Sequence, residues 1–366
     1  VLKKQRITGL ESQKSNPQNV AINAMQRQFN RYKKGDSRYI GTFEDNLADV
    51  KAVTLAQVND FYKNFYGASV GELAVVGDFD PNVVKPLVQS LFGNWKSPSK
   101  YERLKPALTE IPSVNKTFET PDKANAFFVS RLDFKMQDSN PDYPAVFVGD
   151  YMFGGGFLNS RFLTRIRQKD GISYGGGSQL SVGSLDPNSA FLAFAIYAPE
   201  NVKKLEIGFN EEIDKIRKAG FTAKEVADAK KGLLQSQQRV RANDGQLAGT
   251  LRSYLYLGRT MDWAKEFESK ISGLTAGQVN AAFNKYITPD KISIFKAGDF
   301  AKAKSTSSTK KPVVSSGKYA GIVGTYSGQQ VPSVKISDKD GKLFANIPGA
   351  PPLELKPVEG KENEFK

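Results

Sequence analysis

Two stretches of the chain, 221 residues apart, share one pattern of apolar and polar positions. Each opens with Thr-x-x-Gln, at Thr54 and at Thr275. This is the spacing of a capping box, in which two side chains satisfy free backbone amides at a helix start. Apolar side chains then recur every three or four residues, which predicts an amphipathic helix in both stretches. These positions are Val58, Phe61, Tyr62 and Phe65 in the first stretch and Val279, Ala282, Phe283 and Tyr286 in the second.

A short run rich in apolar residues follows each predicted helix, at 72–76 and at 291–295, and leads into Gly-Asp-Phe. Runs of this kind bounded by a turn are typical of strands. The capping boxes, the apolar helix positions and the two Gly-Asp-Phe turns keep the one offset of 221 residues without a gap, and this offset is far longer than the period of a solenoid repeat. The pattern therefore predicts a tandem duplication of one domain.

The offset also predicts where the copies begin and end. The second copy begins near Thr117, and we assign it residues 118–300. The same offset would place the start of the first copy about 100 residues before Val1. We therefore expect residues 1–95 to be the C-terminal part of an N-terminally truncated first domain, in keeping with a start that has no methionine and no signal-peptide core. Residues 96–117, with three prolines, are predicted to connect the copies.

The complete copy is predicted to be an α+β domain. Its alternation of strands and helices favours helices packed on one face of a largely antiparallel sheet. Gly220 and the Thr222/Glu225 capping box separate the last two predicted helices. The predicted strands are 126–134, 173–182 and 190–197, and the predicted helices are 144–153, 159–168, 200–219 and 222–239.

The end of the chain is predicted to form a separate, small β module. Residues 301–312 are rich in Lys, Ser and Thr, which is typical of a flexible linker. In 313–366, a module that we expect to be incomplete, Asp340-Gly341 has the composition of a hairpin turn. The module either binds a ligand or a cell-surface component or is a packing appendage. Its predicted strands are 319–326, 333–337, 343–347 and 353–357.

Composition excludes several kinds of site. The 366 residues include no His and no Cys, which excludes disulfides, a Ser-His-Asp triad and His- or Cys-ligated metals. No apolar run approaches the ~18–20 residues of a membrane span. The net charge of +14 is spread along the chain without a basic stretch interleaved with aromatics. It therefore predicts a basic surface rather than a nucleic-acid site.

A glycine-rich segment is the densest candidate for function. Gly154, Gly155 and Gly156 precede Asn159, Ser160 and a predicted helix, an arrangement that exposes backbone amides and allows close approach of another chain. The segment lacks the Gly-Lys-Ser/Thr of a P-loop and the spacing of a dinucleotide fingerprint. The alternative is a flexible turn capped by Asn159 or Ser160.

Three arginines follow on the same predicted helix. Arg161 and Arg165 oppose its apolar face, whereas Arg167 lies at the rim of that face, from which a guanidinium can reach into a cleft. Tyr174 begins a strand after the turn at Gly171. The pair Arg167 and Tyr174 would suit binding of peptide carbonyls or an oxyanion. The alternative is a solvated arginine and a half-buried tyrosine.

These residues resemble the signature of the pitrilysin, insulin-degrading enzyme and mitochondrial processing peptidase superfamily, the inverzincins, whose zinc motif is H-x-x-E-H. The non-zinc half of those peptidases carries a glycine-rich loop, an Asn/Ser-Ser-Arg helix start and an Arg seven residues before a Tyr, as at Arg167 and Tyr174. The duplication and the Val-Val-Gly-Asp-Phe-Asp run at 75–80 fit the paired domains of the family. The resemblance covers about residues 1–300.

The resemblance implies a clamshell metalloendopeptidase, a zinc-dependent hydrolase that acts on peptides or unfolded proteins. Arg167 and Tyr174 would position the substrate and stabilise the tetrahedral intermediate, and Gly154–Gly156 with Asn159 and Ser160 would line the substrate chamber. Zinc would be bound in the complete enzyme but not by this chain, which alone is expected to be inactive. The zinc-bearing half is either fused upstream or a separate subunit.

The resemblance also leaves a second function open. Some relatives are non-catalytic structural or assembly subunits, and this chain could serve as one. An upstream or neighbouring H-x-x-E-H sequence would separate the two functions. The absence of cysteine favours, without deciding, an exported and periplasmic bacterial protein.

Overall fold

The fold is built on a central sheet within the first of two compact units. The computed structural model describes residues 1–108, 111–156, 160–307, 324–328, 331–339, 342–346 and 352–356. The units are Val1–Lys304 and Ser305–Lys366. The first unit contains both predicted copies, and the boundary between them stays a prediction from the repeat.

The sheet of the first unit has five strands in the order β1-β5-β2-β4-β3. Neighbours are antiparallel except β1 and β5, which are parallel. This arrangement confirms the predicted α+β class with a largely antiparallel sheet. The strands are β1 (Asn115–Glu119), β2 (Ala126–Phe134), β3 (Ser173–Ser181), β4 (Ser189–Tyr197) and β5 (Ser293–Gly298).

Helices of the second copy cover one face of this sheet. Phe128 and Phe191 of the sheet meet Phe153, Phe209 and Phe283 of the helices in one buried cluster. The helices after β2 are α6 (Tyr143–Asp150), α7 (Arg161–Leu163), α8 (Val202–Ala219), α9 (Ala223–Arg241), α10 (Asp244–Leu257), α11 (Met261–Gly273), α12 (Ala276–Tyr286) and α13 (Phe300–Ser307). Two π-helical segments, Tyr151–Gly155 and Thr164–Lys169, continue α6 and α7.

The opposite face of the sheet is covered as well. The sequence predicted helices on one face only, and this part of the prediction is incomplete. Met25 and Phe29, in and just after α2, pack on Phe127, Val129 and Phe295. Side chains alternate between the two faces of a strand, and because both faces are covered, six of the nine positions of β2 are buried. The helices that precede the sheet are α1 (Leu2–Gln13), α2 (Pro17–Gln28), α3 (Phe43–Ala52), α4 (Leu55–Phe65) and α5 (Pro81–Phe92).

The repeated helices form as predicted. Thr54 and Thr275 both complete capping boxes with the glutamine three residues later, at the starts of α4 and α12. Thr222 does so with Glu225 at the start of α9. The helical periodicity of both stretches is therefore confirmed.

The run at 72–76 does not form the predicted strand. Its counterpart β5 is held by hydrogen bonds to β1 on one side and β2 on the other. No strand among the described residues pairs with 72–76. A strand needs a partner for its backbone groups, so the same sequence pattern gives an extended segment here and a buried strand in the second copy.

The connector between the copies is attached to the second copy at several points. Arg103 pairs with Asp186 through both terminal guanidinium nitrogens, and the Tyr101 and Tyr256 hydroxyls lie 3.3 Å apart. β1 begins at Asn115, inside the segment predicted as connector. These contacts fix the path of the chain between α5 and the sheet.

The predicted linker after Phe300 begins as a helix. The Asp299 carboxylate accepts from the Lys302 amide at 3.1 Å, and Glu119 Oε2 accepts from the Phe300 amide at 3.0 Å. These carboxylates satisfy free amides at the start of α13 and favour the helix over an irregular linker. The rest of the linker lies outside the described residues.

The second unit contains an antiparallel four-stranded sheet in the order β6-β7-β8-β9. Lys339 of β7 pairs with Lys342 of β8 on either side of the predicted Asp340-Gly341 turn, which lies outside the described residues. Ile336 and Leu343 are buried on one face. The strands are β6 (Gly324–Gly328), β7 (Val331–Lys339), β8 (Lys342–Asn346) and β9 (Leu353–Leu355).

Candidate functional site

The arginine-bearing helix carries its apolar side chains inward. Phe162, Leu163 and Ile166 are buried against the sheet and α8, as their spacing predicts. The helix changes from α to π geometry at Thr164. This apolar anchor fixes the helix, so the positions of its arginines follow from the backbone.

Arg161 and Arg165 are both engaged in ion pairs within the fold. Arg161 binds Glu225 through two hydrogen bonds of 2.7 Å and donates to the Gly220 carbonyl at 2.9 Å. The Arg161 guanidinium lowers the pKa of Glu225 to about 2. Arg165 pairs with Asp170 at 2.7 Å and with Glu211 at 2.6 Å. These two arginines join helices of the second copy and are not available to a ligand.

Arg167 differs from both. Its side chain is exposed, and within the part of the chain that the structure describes it makes no hydrogen bond or ion pair. Tyr174 is also exposed, at 65% of its surface. Of the three arginines on this helix, Arg167 is therefore the one whose guanidinium makes no hydrogen bond or ion pair to a described residue.

A tight turn separates Arg167 from Tyr174. Gly171 has φ +62°, which favours glycine, and the Ile172 amide donates to the Ile166 carbonyl at 3.0 Å. The pairing of β3 with β4 shifts register between Ser173 and Gly175, which places Tyr174 at a bulge. A bulge redirects a side chain out of the regular alternation, and Tyr174 projects into solvent beside the turn.

The three glycines have different surroundings. A Cβ on Gly154 would lie 2.5 Å from the Ser178 amide nitrogen, so the buried Gly154 allows the helix end to pack on β3. A Cβ on Gly155 would lie 3.0 Å from Asp150 Oδ2, and one on Gly156 would lie 2.7 Å from the Tyr151 carbonyl oxygen. Close packing against β3 thus explains why residue 154 is a glycine. Substrate binding by the three glycines stays a prediction.

Gly154→Ala is expected to lower the free energy of unfolding by about 1–3 kcal/mol, because the added methyl group must displace the β3 backbone. Gly249→Ala is the matched control, since a Cβ there meets nothing within 4 Å on α10. It is expected to raise stability by up to about 1 kcal/mol through helix propensity. Urea denaturation of both variants checks the difference, and equal effects would contradict the packing role.

The other two residues predicted to bind substrate are Asn159 and Ser160. Asn159 lies outside the described residues. Ser160 is buried at the start of α7. Arg167 and Tyr174 thus lie on either side of the turn at Gly171, both exposed, whereas Ser160 is buried.

Beside Tyr174, β3 forms an edge of the sheet. An edge strand presents unpaired backbone donors and acceptors to an added strand. Three consecutive glycines, 175–177, give this part of the edge little side-chain cover. An extended peptide could therefore pair with backbone here and reach the Tyr174 phenol.

Sequence analysis missed Asp150, the most unusual ionisable group near the site. This carboxyl is buried at the end of α6, where it accepts from the Ser178 hydroxyl at 2.6 Å and from the Leu180 amide at 3.2 Å. Burial raises the pKa of Asp150 to about 7, although both hydrogen bonds act to lower it. The signal that could have revealed it is a single acidic residue within the apolar run 144–153.

The residues of this chain do not fit a zinc ion. The sequence lacks His and Cys, and among the described residues no three Asp or Glu side chains form a cluster that could hold a metal. None of the helices in the described ranges is long and apolar enough to cross a membrane.

Comparison with known proteins agrees with this fold. Residues 52–233 match the family model described as peptidase M16 inactive domain. The curated protein "non-peptidase homolog YmxG" of Helicobacter pylori is 25% identical over 209 residues, which make up 53% of this chain and 48% of YmxG. The chain thus spans about half the length of this relative.

Solved structures show the same architecture. A peptidase M16 inactive domain from Pseudomonas fluorescens superposes with a TM-score of 0.64 at 24% identity, over 81% of this chain and 69% of that one. A protease from Helicobacter pylori gives 0.66 at 14% identity, over 81% and 70%. The periplasmic protease PqqL from Escherichia coli gives 0.60 at 16% identity, over 81% and 32%. At these identities the likeness establishes the fold.

Proposed function

We propose, from the premise that residues 52–233 of this chain belong to the peptidase M16 family as an inactive domain, that the chain positions substrate in a zinc metalloendopeptidase. The observation that carries the proposal is the exposed pair Arg167 and Tyr174. Arg161 and Arg165 are engaged in ion pairs, whereas Arg167 makes no ion pair among the described residues, and Tyr174, across the Gly171 turn, is also exposed. Such donors suit the carbonyl oxygens of a bound peptide.

In this proposal the chain binds and orients peptide and holds no metal. The edge of β3 would accept an extended segment through backbone hydrogen bonds, which recognise peptides with little regard to side chains. The Arg167 guanidinium and the Tyr174 hydroxyl would then donate to a substrate carbonyl oxygen and to the negative charge that develops on it. Zinc, when bound by a partner half, would supply the attacking water.

Kinetics of the complete zinc-bearing assembly test this function. Arg167→Ala and Tyr174→Phe are each expected to lower kcat/KM by roughly ten- to a hundredfold, the range for loss of a donor to developing charge. Bound zinc should be unchanged, because in this proposal the zinc ligands belong to the partner half and not to this chain. Lys169→Ala is the matched control, an exposed cation on the same helix that should leave turnover unaltered. Unchanged kinetics in both test variants would refute the assigned roles.

A second candidate function is that of a non-catalytic structural or assembly subunit. The description of YmxG as a non-peptidase homolog favours it. A turnover measurement on the natural assembly distinguishes the two functions, since a structural subunit would leave proteolysis independent of Arg167 and Tyr174. A search of the adjoining coding sequence for H-x-x-E-H gives an independent answer.

The cellular location is also a proposal. The absence of cysteine is compatible with export to the periplasm, and one structural neighbour is a periplasmic protease. Fractionation of the source organism would decide it.

A further inference from the structure

The inner strand β4 carries one exposed aromatic side chain. Phe194 is exposed at 38% of its surface, whereas the other eight residues of β4 are buried or half-buried. On one side its ring stacks on Phe127 of β2, with the ring centroids 6.2 Å apart. On the other side β4 pairs with β3, whose side chains would normally cover such a ring.

Glycines in β3 leave this ring uncovered. In the register of the two strands, Gly177 lies opposite Phe194 and Gly175 lies opposite Ile196. α2 covers the same face of the sheet, but it packs on β2 and β5. Phe194 and the half-buried Ile196 therefore form the wall of a shallow apolar groove whose floor is Gly175. We call these three residues the β4 groove.

The fold does not require glycine at the floor of the groove. A Cβ on Gly175 would meet no described atom within 4 Å, and its φ lies outside the left-handed region. Gly176 differs, because a Cβ there would clash with the Phe194 carbonyl oxygen. Glycine within a strand lowers stability and often marks a place where a ligand approaches the backbone closely. The space over Gly175 is therefore available to a bound group.

The backbone of β3 beside the groove has an open position for an extended peptide. The Leu180 amide donates to Asp150 Oδ2 and so points away from β4. Backbone groups alternate in direction along a strand, so those of Gly176, four residues earlier, also point away from β4. Gly154 packs against the Ser178 amide on this side of the strand. Gly176 is thus the position that the described residues leave open.

A peptide paired with Gly176 would direct a side chain into the groove. Side chains alternate along a strand, so the peptide residue next to the paired one faces the same side of the sheet as Gly175. Adjacent strands lie about 4.8 Å apart, so a short side chain would end above β3, whereas a large one would extend toward Ile196 and Phe194. Both walls are hydrocarbon, which favours an aromatic or long aliphatic side chain.

We propose that the β4 groove is a subsite for a large apolar side chain of the extended peptide that Arg167 and Tyr174 bind. Gly175 determines specificity in it, because a side chain at this position would fill the groove. The inference rests on the proposed function and adds the class of substrate: unfolded segments with Phe, Tyr, Leu or Met at a fixed distance from the bound carbonyl.

Binding of a peptide series to the natural assembly that contains this chain tests the subsite. The series has one polar sequence in which a single Phe replaces Ser at each position in turn, and fluorescence anisotropy gives the affinities before turnover. At one position Phe should bind roughly tenfold more tightly than Ser. This ratio should fall to about one in Gly175→Val and to an intermediate value in Gly175→Ala, with a Tm no lower than that of the unmodified protein. Gly249→Ala, another glycine with open space around its Cβ, is the matched control and should keep the ratio.

The outcomes separate this inference from the proposed function. Arg167→Ala should weaken binding of both peptides alike and leave their ratio unchanged. A ratio that persists in Gly175→Val, or no preference for Phe in the unmodified assembly, would overturn the subsite even where Arg167→Ala lowers turnover. A lower Tm for Gly175→Ala would show that the fold itself needs this glycine and would contradict the subsite as well. Loss of the ratio in Gly175→Val with turnover independent of Arg167 and Tyr174 would support the subsite and refute the catalytic roles.

Discussion

Phe283→Ala is expected to lower the free energy of unfolding of the chain by about 3–5 kcal/mol. Tyr62→Ala, the same position in the first copy, should lower it by about 1 kcal/mol or less in the isolated chain. Phe283 fills a dry site between Phe153, Phe221 and Gly149, and its removal leaves a cavity. Tyr62 is about half exposed, with the rings of Tyr66 and Trp95 beside it.

Urea denaturation followed by circular dichroism measures both variants against the unmodified chain. The two mutations remove aromatic side chains from equivalent points of equivalent helices, so helix propensity nearly cancels in the comparison. Phe283→Leu is the milder control and should recover more than half of the loss, since a large apolar group still fills the site. Equal losses for Phe283→Ala and Tyr62→Ala would mean that the Tyr62 ring is already buried in solution.

The repeat explains how far sequence could predict this fold. Capping at Thr54 and Thr275 depends on residues three positions apart, and helical spacing depends on residues within one turn. Both were therefore visible in the sequence, and both are confirmed. Burial at Val58 depends instead on whether another layer of structure is present. The same pattern thus predicts a helix in each copy but cannot predict that only α12 is covered.

Helix α10 was missed although local signals for it are present. Leu247, Leu251 and Leu255 recur at helical spacing, and the Asn243 side chain accepts from the Gln246 amide at 3.0 Å at the helix start. None of the fourteen residues of α10 is buried, which the spacing of these leucines could not predict.

The sequence was sufficient to select the residues of the candidate site, but not to predict which of its arginines are engaged in ion pairs. The seven-residue spacing from Arg167 to Tyr174 is a local property of the sequence, and it identified both residues as candidates. The reason Arg161 is unavailable lies 64 residues away, at Glu225, and no periodicity carries that information. Burial of Gly154 against Ser178 depends likewise on the packing of α6 onto β3.

Asp150 makes the stability of the chain depend on pH. Its pKa is raised to about 7 in the folded state by burial, against about 3.9 for an unperturbed aspartate. Between these values the folded state binds the proton that the unfolded state has released, so stability falls as the pH rises and is constant again above about 7. We expect the free energy of unfolding to decrease by about 3 kcal/mol from pH 5 to pH 8. Histidine, which normally titrates in this range, is absent from the chain and cannot obscure the effect.

Asp150→Asn should abolish this pH dependence and make the chain more stable than the unmodified protein at pH 8. The amide oxygen can accept from the Leu180 amide in place of Oδ2, and the amide NH2 group can donate to the Ser178 hydroxyl oxygen, whose proton can bond the Asp150 carbonyl instead. The asparagine side chain therefore keeps both contacts and carries no charge to bury. Asp142→Asn is the control with the opposite electrostatics, since Lys285 lowers the pKa of the Asp142 carboxyl. That substitution removes a charge present at both pH values and should leave the difference between them intact. Urea titrations of the unmodified chain and the two variants at pH 5 and pH 8 measure this difference in the free energy of unfolding. If the pH dependence persists in Asp150→Asn, a group other than Asp150 is its cause.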